Sequence, residues 1–271
     1  MPRFKLTIEY AGTRYSGWQI QTNARTVAGE IERAVRDGTK RREFELYGSG
    51  RTDAGVHALA QVAHLDIYTD LTPEVLRRKI NDELPADIHI RTIETAPHKF
   101  HARHDAIERA YLYQISTRRT AFGKAFVWWI REPLLIDAMR EAAAAFVGMQ
   151  KFDAFTADDP EEKSTKVLVD AVEIEPAGAL ILIRVRGSHF LWKMVRRMVG
   201  VLAAVGRGEL PASDAARFLE ADHATATKKT AAALAAPAAG LFLEAVRYRN
   251  DPPFGPLRAV IAIPTDATSS S

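Results

Sequence analysis

The chain reads as an α+β protein built from two halves of similar layout. Three observations predict this. Short stretches with period-two alternation of apolar and polar residues recur along its 271 residues. Between them lie stretches whose apolar residues repeat at helical spacing. In the first half these come in the order β-α-β-β-α-β. In the second half strands again accompany helices, with no flexible linker near residue 105. The predicted division is 1–105, 106–249 and a tail, 250–271, disordered at its tip.

The elements follow in order. Phe4, Leu6, Ile8 and Tyr10 alternate with Lys5, Thr7 and Glu9, which predicts a first strand. Gln19 to Arg25 is polar and reads as a loop. From Thr26, Val27, Ile31 and Ala34-Val35 follow helical spacing up to Gly38. Phe44 to Tyr47 is a second strand. Ala63, Leu65 and Ile67 alternate with His64 and Asp66 in a third. Thr72-Pro73 is a helix start, with threonine as cap and proline in the first turn. Leu76, Ile80 and Leu84 continue that helix to Pro85, and Ile88 to Thr95 returns as a strand.

In the second half Tyr111, Tyr113 and Ile115 fall on one face of a strand, and Asp137 to Val147 is an alanine-rich helix closed by Gly148. Val167 to Ile174 and Leu180 to Val185 flank Glu175-Pro176-Ala177-Gly178, a hairpin signal. Phe190, Met194, Met198, Val201-Leu202 and Val205 mark a long helix ending at Gly206. A shorter helix follows Ser213, and Leu241 to Tyr248 is a last strand. Asp158-Asp159-Pro160-Glu161-Glu162 reads as a solvated acidic loop.

Composition narrows the function classes. Hydrophobic content of 47% and charged content of 26% are those of an ordinary globular protein. No apolar run reaches the roughly 18 residues of a membrane span, and MPRFKLTIEY has no signal-peptide core. The absence of cysteine excludes disulfides, thiol nucleophiles and thiolate metal sites, and fits a cytoplasmic protein. The net charge of +3 is a weak pointer to nucleic acid. Local clusters say more: Lys40-Arg41-Arg42, Arg77-Arg78-Lys79, Arg118-Arg119, and Lys193 with Arg196-Arg197.

The densest chemistry lies in YGSGRTDAGVHALAQVAHLD, Tyr47 to Asp66. Gly48, Gly50 and Gly55 surround one carboxylate, Asp53, with the cation Arg51 two residues before it. Glycines allow tight turns and close approach of a ligand, and the following strand would hold the loop out from the scaffold. An Asp among glycines is equally the composition of an ordinary turn. His98, His101 and His104 recur at spacing three, but no carboxylate stands at ligand spacing and there is no HExxH pattern, so no metal site is predicted.

The octapeptide Gly50-Arg51-Thr52-Asp53-Ala54-Gly55-Val56-His57 resembles the signature of the bacterial tRNA pseudouridine synthase A family. Further segments agree in family order: Tyr10 to Trp18, Arg25-Thr26-Val27, Phe100-His101-Ala102-Arg103, and Tyr111 within Glu108 to Tyr113. They continue with Gly187 to Gly200 around Met194-Val195-Arg196, and Ala236-Pro237-Ala238-Ala239-Gly240-Leu241-Phe242-Leu243. The resemblance covers about residues 3 to 249. Trp192-Lys193 stands where members often carry His or Tyr, and Met149 to Phe155 matches loosely.

The resemblance implies a pseudouridine synthase fold: two α/β subdomains sharing a mixed, mainly antiparallel sheet, with the active-site cleft between them. It implies isomerisation of uridine to pseudouridine at positions 38, 39 and 40 of the tRNA anticodon stem-loop. No cofactor is implied, and the expected partners are tRNA and a second copy in a homodimer. Asp53 would be the catalytic nucleophile or stabilising carboxylate, Arg196 its cationic partner, and Tyr111 the ring stacked on the base. Arg51, His101 and Arg103 would contact substrate. A carboxylate suits a glycosidic carbon that becomes electron-poor, an adjacent cation keeps it ionised, and a tyrosine offers both a flat face and a proton. Attack at C1′, attack at C6 and elimination at C2′ all remain open. Two other readings compete. A glycosidase or nucleosidase would need a second carboxylate, and none stands out. A non-catalytic RNA-binding module would carry an RNP strand motif, which is not found.

Overall fold

A computed structural model describes residues 1–158, 164–220 and 224–264. Residues 159–162 of the acidic loop and the tip Thr268–Ser271 of the tail lie outside the described residues. The chain divides into two compact units: Met1–Arg109 with Phe242–Pro252, and Ala110–Leu241 with Pro253–Ser271. Each joins a mixed sheet to helices, so the fold is α+β.

In the first unit the sheet runs β4 (Ile88–Ala96), β1 (Arg3–Tyr10), β3 (His57–Ile67), β10 (Leu241–Arg247), with β2 (Phe44–Gly48) also along β3. β1 is antiparallel to both β3 and β4, β2 is antiparallel to β3, and β10 pairs parallel to β3 at Phe242 and His57. The alternation in β1 is realised: Phe4, Leu6, Ile8 and Tyr10 are buried. Two helices complete the unit, α1 (Val27–Thr39) and α2 (Pro73–Glu83). The Thr26 hydroxyl accepts the Gly29 N–H and the Thr72 hydroxyl accepts the Val75 N–H, so each threonine satisfies an otherwise orphan donor. Val27, Ile31 and Val35 of α1 and Leu76 and Ile80 of α2 have no exposed surface, each burial worth roughly 1.5–3 kcal/mol. Gly38 lets α1 and α2 approach, since a Cβ there would stand 2.6 Å from the Lys79 carbonyl oxygen. Leu84 is extended, as the residue before Pro85 must be, and stops α2.

β3 departs from the expected alternation. His64 and Asp66 are 1% and 8% exposed, so both faces of the strand are covered. Asp66 sits opposite Arg3 and accepts two of its N–H groups, at 2.7 and 2.5 Å. Nδ1 of His64 accepts the Ala102 N–H at 3.2 Å. The segment carrying His98 to Asp105 supplies that cover, a long-range packing that no local pattern reveals.

In the second unit the order is β5 (Glu108–Ser116), β9 (Leu180–Gly187), β8 (Lys166–Ala177), β7 (Gly148–Lys151), with β6 (Trp128–Trp129) parallel to β5. β8 and β9 form the predicted hairpin, turning through Gly178 at φ 62°. The helices are α3 (Ile136–Ala144), α4 (Met194–Gly206), α5 (Asp214–Arg217) and α6 (Ala224–Ala233). α3 stops at Ala144, short of Val147, because the Ala145, Phe146 and Val147 N–H groups bond three residues back, to Ala142, Ala143 and Ala144, as tightened turns before β7. α4 begins at Met194 rather than Phe190, since Lys193 takes a left-handed φ of 63° and breaks the helical run. Every residue of α4 except Arg196 is buried. Gly200 makes this possible, for a Cβ there would overlap the Leu234 carbonyl oxygen at 2.0 Å. The tail is laid on this unit as far as Pro264. Arg184 donates to the Gly255 carbonyl, the Val260 N–H donates to Gln114, and Arg118 donates to the Pro264 carbonyl.

Candidate active site

The Asp53 loop, residues 49–56, joins β2 to β3 and is held mainly by backbone. The Ser49 N–H donates to the Val62 carbonyl at 2.7 Å, Trp18 N–H to Thr52 at 3.1 Å and Gly55 N–H to Tyr15 at 3.2 Å. The Val56 N–H closes a β-turn onto the Asp53 carbonyl at 3.1 Å, with Gly55 at φ 79° in the left-handed region. Thr52 is buried and its hydroxyl meets that of Tyr10 at 2.8 Å. Gln61 bonds the Ser49 hydroxyl and the Gly50 carbonyl. Gly17 sits at φ 90°, and a Cβ on it would lie 2.5 Å from the Thr52 carbonyl oxygen. These bonds fix the backbone on both sides of Asp53, whose side chain is half-buried, while Arg51 is exposed.

His57, the last residue of the octapeptide, is scaffold. It is fully buried, its Nδ1 accepts the Gly12 N–H at 3.0 Å, and its ring stacks on Phe242 with centroids 4.8 Å apart.

His101 and Arg103 lie on a turn of the same unit. His101 Nδ1 accepts the Arg103 and His104 N–H groups at 3.1 and 3.3 Å, and its own N–H donates to Asp105. Partial burial and the neighbouring His104 press its pKa below the ordinary value. Arg103 is exposed. The guanidinium of Arg109 donates to the Arg103, Ala106 and Ser49 carbonyls, at 2.8, 3.0 and 3.4 Å. It therefore ties the His101–Arg103 turn to the start of the Asp53 loop. Arg109 stands two residues before Tyr111, and no local pattern marks it for this bridging role.

Burial holds the His64 pKa down at about 4, with Arg3 and His101 adding to the effect, so this imidazole is neutral near pH 7. The Arg3 bonds hold the Asp66 carboxyl below its usual range.

The other predicted residues, Tyr111 and Arg196, belong to the second unit. On β5, Tyr113 and Ile115 are fully buried whereas Tyr111 is half-buried, with its ring edge-on to Phe190 at 5.2 Å and 87°. Arg196 grips Ala236 twice: its Nε donates to the Ala236 carbonyl at 2.7 Å, and the Ala236 N–H donates to its own carbonyl at 2.9 Å. Next to Ala236, the Pro237 carbonyl accepts the Tyr113 hydroxyl at 2.8 Å, and Gly240 leaves room for the Tyr113 ring. Burial raises the Tyr113 pKa well above its ordinary value, against the opposing charge of Arg196.

The basic clusters divide. Arg197 is 6% exposed and bonds the Ala154 and Thr156 carbonyls, so it braces backbone and offers nothing to a phosphate. Arg77 pairs with Glu74. Among the described residues no group of three or more His, Asp or Glu is arranged to hold a metal ion, and no helix is long and apolar enough to cross a membrane.

Comparison with known proteins adds the following. A family profile described as tRNA pseudouridine synthase matches residues 6–105 and 142–249. A tRNA pseudouridine synthase A of Rhodopseudomonas palustris (strain BisA53) is 41% identical over 251 residues, covering 92% of this chain and 100% of that protein. The proteins of the same name from Pseudothermotoga lettingae and Rhizobium meliloti (strain 1021) are each 38% identical, over 251 and 253 residues, again covering 92% of this chain and 100% of theirs.

Proposed function

The chain belongs to the tRNA pseudouridine synthase family, an isomerase family, and from that premise we propose that it converts uridines 38, 39 and 40 of the tRNA anticodon stem-loop with Asp53 as the essential carboxylate. The observation that carries the role of Asp53 is its loop. Backbone bonds and glycines clamp the chain on either side, and the carboxylate stands half-buried between them. Such preorganisation suits a group that must meet one carbon.

In the reaction the C1′–N1 bond breaks, uracil turns, C1′ joins C5, and the hydrogen of C5 leaves to solvent. N1 ends protonated, so nothing is oxidised and no cofactor is consumed. Asp53 attacks or stabilises the electron-poor centre. Arg196, from the second unit, keeps that carboxylate ionised. Its Nε bond to Ala236 fixes the direction of the guanidinium. Tyr111 stacks on the base, with Phe190 edge-on to orient its ring. The target base must first leave its stack, at a cost of a few kcal/mol, and Arg51 fills the vacated space. His101 and Arg103 contact the RNA alongside. The enzyme acts as a homodimer with one tRNA reaching across both copies, as the family resemblance implies.

Transfer RNA carrying 5-tritiated uridine tests this reading. It should release tritium to water without added metal or nucleotide, and mapping should place pseudouridine at 38–40. Free uracil in the supernatant, or pseudouridine at other positions only, would reject it.

A further inference from the structure

Tyr47 is the last residue but one of β2, six residues before Asp53. The residue is 49% exposed. It is the cross-strand partner of His64, and the two rings stack with centroids 5.2 Å apart and planes 21° from parallel. The ladder thus fixes the ring from behind. His64 is buried, and its partners, Ala102 on one side and Tyr47 on the other, leave it no freedom to turn. His101 stands at the side of Tyr47, centroids 6.2 Å apart, and His104 continues the row 4.2 Å beyond His101.

We propose that Tyr47 is a stacking platform for a tRNA nucleotide outside the reacting uridine. The proposal rests on the activity and the Asp53 site argued above. A tyrosine that only sealed His64 would serve as well if it were aliphatic. A half-exposed aromatic ring backed by a second ring is instead the arrangement on which a nucleobase packs. The charges around it fit RNA: Arg51 and Arg103 are exposed on the adjoining loop and turn, and the anions are Glu45 on the same face of β2 and Asp105, which is engaged by the His101 N–H. Six residues of chain span at most about 20 Å, so a nucleotide on Tyr47 lies near one held at Asp53.

Three variants decide the matter, read by tRNA affinity and its salt slope, by Tm and by oligomeric state. Tyr47→Leu keeps an apolar cover over His64 but cannot stack. Affinity for labelled tRNA should fall about 5- to 100-fold, with Tm unchanged and the slope of log affinity against log salt preserved, because stacking displaces no counterions. Tyr47→Trp should bind at least as well as the parent. Arg103→Gln should flatten the salt slope instead. Parental affinity in Tyr47→Leu overturns the proposal. So does a loss of affinity accompanied by a lower Tm or a changed oligomeric state. The binding assay needs no turnover, so it stands even if the parent releases no tritium. That last outcome would instead count against the proposed reaction.

Discussion

Around Asp53 the chain is held mainly by its own backbone, whereas at Arg196 a guanidinium bond reinforces the backbone bond to Ala236. The loop at Asp53 depends on N–H···O=C bonds from Trp18, Ser49 and Gly55 and on the absence of a Cβ at Gly12 and Gly17. Arg196 stands on a helix buried at every other position and reaches out through one guanidinium nitrogen to Ala236. A backbone-held loop is insensitive to most side-chain changes and fails abruptly where glycine is required. A segment reinforced by a side chain degrades in steps. The comparison explains why a short octapeptide identifies the first region, while the second is carried by residues scattered over some forty positions.

The largest effect expected separates chemistry from scaffold on the Asp53 side. Asp53→Asn keeps the shape of the side chain and every backbone bond of the loop, so tRNA affinity should hold while tritium release falls to background. Activity within about tenfold of the parent, a loss of under ~1.4 kcal/mol in the barrier, would remove Asp53 from its role.

Arg196→Ala should come next, lowering turnover by orders of magnitude. On the proposed pairing, Asp53 in this variant takes up a proton more readily, so the residual activity should rise with pH. The Ala236 carbonyl also loses its donor, a stability cost of about 1–3 kcal/mol if the group stays dry. An unchanged pH profile at full activity would break the pairing with Asp53.

Gly17→Ala tests the backbone-held side directly. The added Cβ meets the Thr52 carbonyl oxygen at 2.5 Å, and φ 90° is poorly tolerated by alanine. Stability should drop by more than ~1 kcal/mol, visible in Tm, with turnover falling alongside. Gly50→Ala is the matched control, because nothing lies within 4 Å of a Cβ built there. Equal Tm for the two would undo the account of the loop.

The smallest effect concerns His64. Its folded pKa, about 4, lies below the unfolded value near 6.5. Between those values the unfolded chain binds more protons, so stability is complete above about pH 6.5 and falls as pH drops toward 4. Tm measured at pH 7.5 and 5 should differ in the parent and differ less in His64→Asn, whose side-chain oxygen can still accept the Ala102 N–H. A parallel decline in both proteins would place the acid sensitivity elsewhere, with His101, whose pKa is also lowered by burial, the first alternative.

Local chemistry made much of the fold legible. Alternation in β1, the threonine caps of α1 and α2 and the hairpin of β8 and β9 are each written within a dozen residues. Three things were not. The burial of His64 and Asp66 depends on a segment some forty residues away. α6 is rich in alanine, threonine and lysine and has no apolar stripe to announce it. The start of α4 turns on a left-handed lysine, Lys193, which propensity does not anticipate. At the candidate site the octapeptide stood out because so many of its positions are specified together. Its supports did not, since Gly17 is recognisable as necessary only once Thr52 is seen against it.

β10 has a consequence for synthesis on the ribosome. Phe242 and Leu243 pair with His57 and Ala58, Arg247 bonds Glu108, and the Tyr248 hydroxyl bonds the Ala102 carbonyl. The amino-terminal unit therefore lacks a strand until more than 130 further residues have been translated. At about 5–20 residues per second that wait lasts roughly 7 to 27 seconds, during which the β3 edge beside His57 is open to strangers. Clones ending near residue 109 would prolong the wait indefinitely, and aggregation through that edge is their expected fate.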